Sequence, residues 1–150
     1  MEKTYNSVEL FSGIGSQAAA LKNLGVKINT VGTSEWDVHA IVAYDMIHGG
    51  TDIPADIARM SKDELLEKMS HYTFSNSGKA PLEYEALRTY SVESLRYIYT
   101  SIKRNHNFVD ISALEGKEMP DGIDILTYSF PCQDLSNVGA FHGHNKGIDK

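Results

Sequence analysis

The chain has 150 residues, 41% of them apolar and 23% charged, with a formal net charge of −6. That is enough for one domain with a real core, and it excludes both a disordered chain and a protein that grips duplex DNA with its whole surface, which would be basic. No apolar run approaches membrane-spanning length, residues 1–6 lack a signal-peptide core, and a single cysteine cannot form an internal disulfide, which fits a reducing, cytoplasmic compartment.

Residues 7–11 form a short strand candidate that runs into Ser12-Gly13-Ile14-Gly15-Ser16. A helix is predicted over 17–24, closed by Gly25 in the usual C-terminal glycine position. Strand, glycine loop and helix together open a Rossmann-like unit. The glycines let backbone approach a ligand at a helix N-terminus, although a bare Gly-x-Gly also reads as a plain tight turn. A second strand is predicted over 26–33, with Ile28 and Val31 as its core residues, followed by Ser34-Glu35-Trp36-Asp37. An acidic residue at the end of the second strand, roughly 20 residues past the glycine loop, is where dinucleotide-type folds bond a ribose. Glu35 suits that place, while Asp37 suits the N-cap of the next helix. Trp36, the sole tryptophan, fits either a core or a flat surface for a heterocycle. The next helix, 38–47, carries Ala40, Ile41, Tyr44 and Ile47 as its apolar positions and ends at Gly49-Gly50; His39 and His48 read as surface residues.

The α/β alternation stops between 51 and 107. Ser61-Lys62-Asp63-Glu64 is a capping box opening a short helix through Leu65, Leu66 and Met69. Residues 74–81 read as loop. Ser91 caps a further helix bearing Val92, Leu95, Tyr99 and Ile102, with Lys103 and Arg104 in its last turn. The region is expected to be a helical insertion, too short to bury a core of its own. Residues 107–111 are predicted as a third strand and 123–128 as a fourth, joined by a turn-rich link containing Pro120-Asp121-Gly122. Pro131 stops the fourth strand, which places Cys132 on a loop past the carboxyl end of a strand, where open α/β sheets put ligands and chemistry. Local sequence alone leaves two readings of Cys132 open: a nucleophile, or a small buried hydrophobe.

Taken in order, these segments resemble the DNA cytosine-5 methyltransferases. Phe11-Ser12-Gly13-Ile14-Gly15 is similar to the family's cofactor loop, Ser34-Glu35-Trp36 to its second motif, Asp110-Ile111 to its third, and Pro131-Cys132-Gln133 with Ser136 to its fourth. The resemblance implies an α/β, Rossmann-like S-adenosylmethionine-dependent sheet, incomplete here and carrying a helical insertion at about 51–107. It implies that S-adenosyl-L-methionine contacts Phe11, Gly13, Ile14, Gly15, Glu35, Trp36, Asp110 and Ile111. Glu35 is then expected on the ribose hydroxyls, Trp36 against the adenine, Asp110 at the adenine amino group and Ile111 on the ring. Pro131, Cys132 and Gln133 form the catalytic motif, and Gln133 and Ser136 contact DNA. Val109 stands where the family usually has glycine.

The implied reaction is transfer of a methyl group to C5 of cytosine through a covalent Cys132 adduct at C6, as in restriction-modification systems. The family's Glu-Asn-Val and Gln-x-Arg-x-Arg motifs are absent from these residues, as is a target recognition domain. The expectation is therefore the N-terminal part of a catalytic domain, a fragment or a split-enzyme half, inactive alone and weak or silent toward double-stranded DNA. It would be completed by another polypeptide or self-associate through an uncovered sheet edge. Two alternatives stand beside it: a non-catalytic S-adenosylmethionine-binding subunit, and a nucleotide-binding oxidoreductase.

Overall fold

The computed structural model describes residues 3–129. Pro131, Cys132, Gln133 and Ser136 lie outside the described residues. Three parallel strands form the sheet: β1 (Tyr5–Leu10), β2 (Ile28–Ser34) and β3 (Ile125–Tyr128), in the order β2-β1-β3. Helices α1 (Ser16–Asn23) and α2 (Val38–His48) follow the first two strands, so β1-α1-β2-α2 is the alternation expected of a Rossmann-like unit. α1 ends in a paired glycine motif: Gly25, at φ +76°, donates to Lys22 O and Val26 donates to Leu21 O. Asp37 caps α2, accepting from the His39 and Ala40 amides.

The register departs from simple alternation at one point. β1 and β2 pair as Ser7 with Thr30 and then Val8 with Gly32, so Val31 is the extra residue of a bulge. Ile28 and Val31, expected in the core, are only half-buried, Ile28 at the open start of the strand and Val31 in the bulge; the buried end of β2 is Gly32, Thr33 and Ser34. A side chain at Gly32 would run into the ring of Phe108, which explains the glycine there.

The third predicted strand is not one. Only Asn107 bridges to Thr33, with Phe108 N–H on Thr33 O at 2.8 Å. Val109 then adopts φ +64°, which breaks the extended backbone, and Ile111–Ala113 coils into a 3₁₀ turn. Ile47, predicted inside α2, is 59% exposed; Asp45 takes the buried position instead.

Between 51 and 107 lie α3 (Ala55–Ala58), α4 (Lys62–Met69), α5 (Tyr84–Leu87) and α6 (Val92–Arg104). The short α3 and α5 have no periodic signal to announce them. The Ser61–Glu64 capping box is formed, and Ser91 accepts from the Ser94 amide. These helices do not pack as a separate body. Leu65, Leu66, Met69, Leu95, Ile98 and Ile102 share one buried cluster with Val38 and Ile41 of α2 and with Val109. Asp45 of α2, almost fully buried, pairs with Arg104 of α6 at 2.8 Å and accepts from Asn105 at 2.7 Å. No helix among the described residues is long and apolar enough to cross a membrane.

Candidate functional site

A cavity of about 600 Å³ opens over the carboxyl ends of β1 and β2. The size suits a nucleoside-sized ligand. It is lined by Phe11, by Ser34, Glu35 and Trp36, and by Val109, Asp110 and Ile111. Thr73, Gly78 and Pro81 make a further wall, contributed by the loop before α5. Ser129, just past β3, reaches the rim. Phe11, Glu35, Trp36, Asp110 and Ile111, from three segments distant in sequence, thus meet around one space.

The carboxylates of this space are held by neighbouring backbone amides. Glu35 accepts from Gly13 N–H at 2.9 Å through one carboxylate oxygen and from Asp37 N–H at 2.8 Å through the other. Gly13 therefore acts through its amide, tethering the glycine loop to the end of β2; a side chain there would meet open space, but φ +53° still favours glycine. The Asp110 carboxylate accepts from the amide and hydroxyl of Ser112 at 2.9 and 2.7 Å. Trp36 is half-buried: it packs against the hydrophobic core and also lines the cavity. Its carbonyl accepts from Ser75 N–H, and Ser75 O accepts from Val38 N–H, which straps the loop before α5 onto the segment after β2. The fully buried Ser75 hydroxyl then receives the amides of Ser77 and Gly78 and donates to Ala80 O, folding the loop into a wall.

Gly13, Ile14 and Gly15 do not line the cavity. Ile14 is exposed, and its carbonyl lies 3.1 Å from His48 Nε2. Gly15, at φ +83°, packs so tightly on His48 and Tyr44 that a Cβ there would collide with both rings. His48 is thus a half-buried brace beneath the loop rather than a surface residue.

Two residues that sequence reasoning missed organise this site. Glu9, 1% exposed, accepts from the Ala18 amide at 3.2 Å and from the Tyr44 hydroxyl at 2.6 Å. The N-cap of α1 is Gly15, which has no side chain to offer, so a carboxylate from β1 supplies the missing acceptor and the favourable negative charge. Burial first, then the bond to Glu9, pushes the Tyr44 hydroxyl well above its ordinary value, so it stays a donor. The second is Asn107, whose side chain touches both Glu35 and Val109. An acidic residue inside a strand and an asparagine at a strand start were the only signals available.

The electrostatics of the cavity are one-sided. Glu35, Asp37 and Asp110 line it, and no lysine or arginine does among the described residues. With Glu9 at the N-terminus of α1, the anion site of a dinucleotide-type loop is already taken by a carboxylate. The surroundings suit a cation.

Residues 5–76 and 88–150 match the family described as C-5 cytosine-specific DNA methylase. Among curated relatives, the orphan methyltransferase M.SssI of Spiroplasma monobiae is 35% identical over 143 residues, covering 93% of this chain and 37% of that protein. The type II methyltransferase M2.ScrFI of Lactococcus lactis subsp. cremoris is 31% identical over 140 residues, covering 90% and 37%. The orphan methyltransferase M.SPBetaI of Bacillus phage SPbeta is 42% identical over 60 residues, covering 39% and 14%. The chain therefore spans little more than a third of the length of the first two relatives. With the matched residues reaching across the glycine loop, the Glu35–Trp36 segment and the Cys132 motif, the chain belongs to the C-5 cytosine-specific DNA methylase family.

Proposed function

We propose that this chain is the N-terminal part of a DNA cytosine-5 methyltransferase catalytic domain, with 51–107 as a helical insertion, and that its cavity holds S-adenosylmethionine. The observation that carries the cofactor reading is the acidic lining of a nucleoside-sized cavity, free of lysine and arginine among the described residues. A pyrophosphate-bearing dinucleotide would bring two negative charges to three carboxylates, whereas a sulfonium brings a positive one. That favours S-adenosylmethionine over the nicotinamide cofactor of an oxidoreductase. Glu35 would take the ribose hydroxyls on the lone pairs left free by its two amide bonds, Trp36 and Ile111 would sandwich the adenine, and Asp110 would face its amino group. Phe11 borders the same ligand, while Gly13, Ile14 and Gly15 shape the loop.

When bound, S-adenosylmethionine supplies an electrophilic methyl group. Cytosine C5 is a poor nucleophile until a thiolate adds at C6. In this reading the Cys132 sulfur bonds to C6, C5 becomes an enamine carbon, and later loss of the C5 proton expels the sulfur. An ordinary thiol, with pKa about 8.5, is only slightly ionised at neutral pH, so the site has to favour the thiolate. Pro131 and Gln133 shape the loop, and Gln133 and Ser136 face DNA. The base has to leave the stack, at a cost of a few kcal/mol. Ser129 lines the cavity and precedes Cys132 by three positions, so the two Cα atoms lie no more than about 11 Å apart.

The charge of −6 gives little general attraction for phosphates. We accordingly propose that methylation needs residues beyond these 150, in the same polypeptide or another, and that the chain alone has at most weak DNA affinity; the alternative of a binding-only subunit shares this property. β3 has one neighbour, β1, among the described residues, which suits pairing with such a polypeptide or with a second copy. The setting is the cytoplasm, in a restriction-modification system. Calorimetry tests the cofactor reading: S-adenosylmethionine should bind and NAD should not, and the reverse order would overturn it. With the remainder supplied, DNA carrying 5-fluorocytosine should be trapped by the wild type and not by Cys132→Ser; trapping by the serine variant would remove Cys132 as nucleophile.

A further inference from the structure

We propose that Asn107 is a positioning residue for cofactor binding, one that aligns Glu35 with the Val109–Asp110 wall across the cavity. The inference rests on the cofactor reading above. Asn107 is 6% exposed, and its side-chain amide makes three hydrogen bonds. Oδ1 accepts from the Glu35 amide at 3.0 Å and from the Val109 amide at 2.9 Å, and Nδ2 donates to the Glu35 carbonyl at 3.0 Å. The partners fix the amide's orientation, because two N–H groups require the oxygen and the carbonyl requires the nitrogen.

The topology explains why a side chain is needed here. The segment at 107 joins β2 by a single bridge at Thr33, and no strand ladder continues beyond it. The two segments that carry Glu35 and Asp110 would otherwise part at their carboxyl ends, where the cavity lies. Asn107 supplies the bonds a ladder would have made: it clasps both polar groups of the Glu35 backbone and turns the chain at Val109. Ser34 Oγ adds a parallel tie to Val109 O at 3.1 Å. An aspartate keeps both acceptor contacts but loses the donor to Glu35 O. A leucine keeps the volume and loses all three bonds, and a glutamine is one methylene too long.

A double-mutant cycle on S-adenosylmethionine affinity in the 150-residue chain tests this. Asn107→Ala and Glu35→Ala should each weaken binding about tenfold or more, and the double variant should bind little more weakly than the worse single, because Asn107 acts by holding Glu35. Urea unfolding of each variant identifies any that fails to fold; if Asn107→Ala does, Asn107→Asp replaces it in the cycle, with the same expected non-additivity. Losses that multiply in the double variant overturn the positioning role while leaving the cofactor reading intact. Absence of binding by the unmodified chain at millimolar cofactor overturns both.

Discussion

Tyr44→Phe isolates the bond that holds the glycine loop from below. The Tyr44 hydroxyl donates to Glu9 at 2.6 Å, and Glu9 is 1% exposed, so water cannot replace the lost donor. A hydrogen bond to a charged group contributes about 1.5–3 kcal/mol, and leaving a buried acceptor short of a partner keeps the loss near that full range. Phenylalanine preserves the ring's contacts with Gly15 and His48, so little packing is lost. For a chain of this length, such a loss corresponds to a fall in melting temperature of roughly 3–12 °C. Urea titration followed by circular dichroism should show the midpoint falling with an unchanged slope. The pair Glu9→Gln and Tyr44→Phe should be non-additive, since each removes the other's partner. A Tyr44→Phe variant within about 0.5 kcal/mol of wild type would show that Glu9 does not depend on Tyr44, and that the capping of α1 from β1 is held some other way.

Glu35→Ala should weaken S-adenosylmethionine binding by at least the 1.5–3 kcal/mol of a charge-assisted bond, because it also frees the Gly13 and Asp37 amides; an unchanged calorimetric affinity would sink the ribose assignment. Arg104→Met keeps the packing of α6 on α2 but leaves Asp45 without its cation. The cost should be about 3 kcal/mol in chemical denaturation, at the low end for a broken buried pair because Asn105 still donates. The Ser61 amide and hydroxyl hold Glu64 below its ordinary value of 4.5, and the Lys3 ammonium followed by the Asn6 amide hold Asp124 below 3.8. Both contributions are present above those values and lost as pH falls through the lower folded ones. Lys3 is raised above 10.5 mainly by its hydrogen bond to Asp124, so its part is present below that value and lost as pH rises through the folded one. Melting temperature should therefore stay flat in the neutral range and decline below about pH 4, with a shallower acid limb in Asp124→Asn.

The sequence announces features whose cause is local. Gly25 ends α1, Ser61 and Glu64 start α4, Ser91 starts α6 and Asp37 caps α2, because each depends on a few neighbouring residues. The meeting of Phe11 with Glu35 and Trp36 is also legible, since the parallel strands β1 and β2 present their carboxyl ends to one side, whereas Asp110 and Ile111 arrive on an irregular segment past the Asn107 bridge that was expected to be a strand. What stayed hidden depends on tertiary contact. The bulge at Val31 follows from how β1 meets β2, and the burial of Asp45 follows from Arg104 and Asn105, remote in the chain. The helical region shares its core with α2, which no composition shift at 51 could reveal. The wall formed by Thr73, Gly78 and Pro81 comes from a polar loop whose placement rests on the bridge between Asp37 and Ser75.

Val109 joins these themes. A β-branched residue at φ +64° is strained, at a cost on the order of 1–3 kcal/mol, and such strain persists only where the surroundings over-determine it. Here Asn107 Oδ1 holds its amide, Ser34 Oγ holds its carbonyl, and its side chain is 1% exposed within the core cluster. Burying a valine contributes about 1.5–3 kcal/mol, enough to offset the backbone cost. Glycine would adopt the same turn without strain but would anchor nothing. With valine, the turn that ends the strand direction also pins the cavity wall to the core. Asp110 and Ile111 are then carried on a fixed base beside the cavity that Glu35 and Trp36 also line, and under the cofactor proposal that order would spare a ligand the cost of arranging its partners.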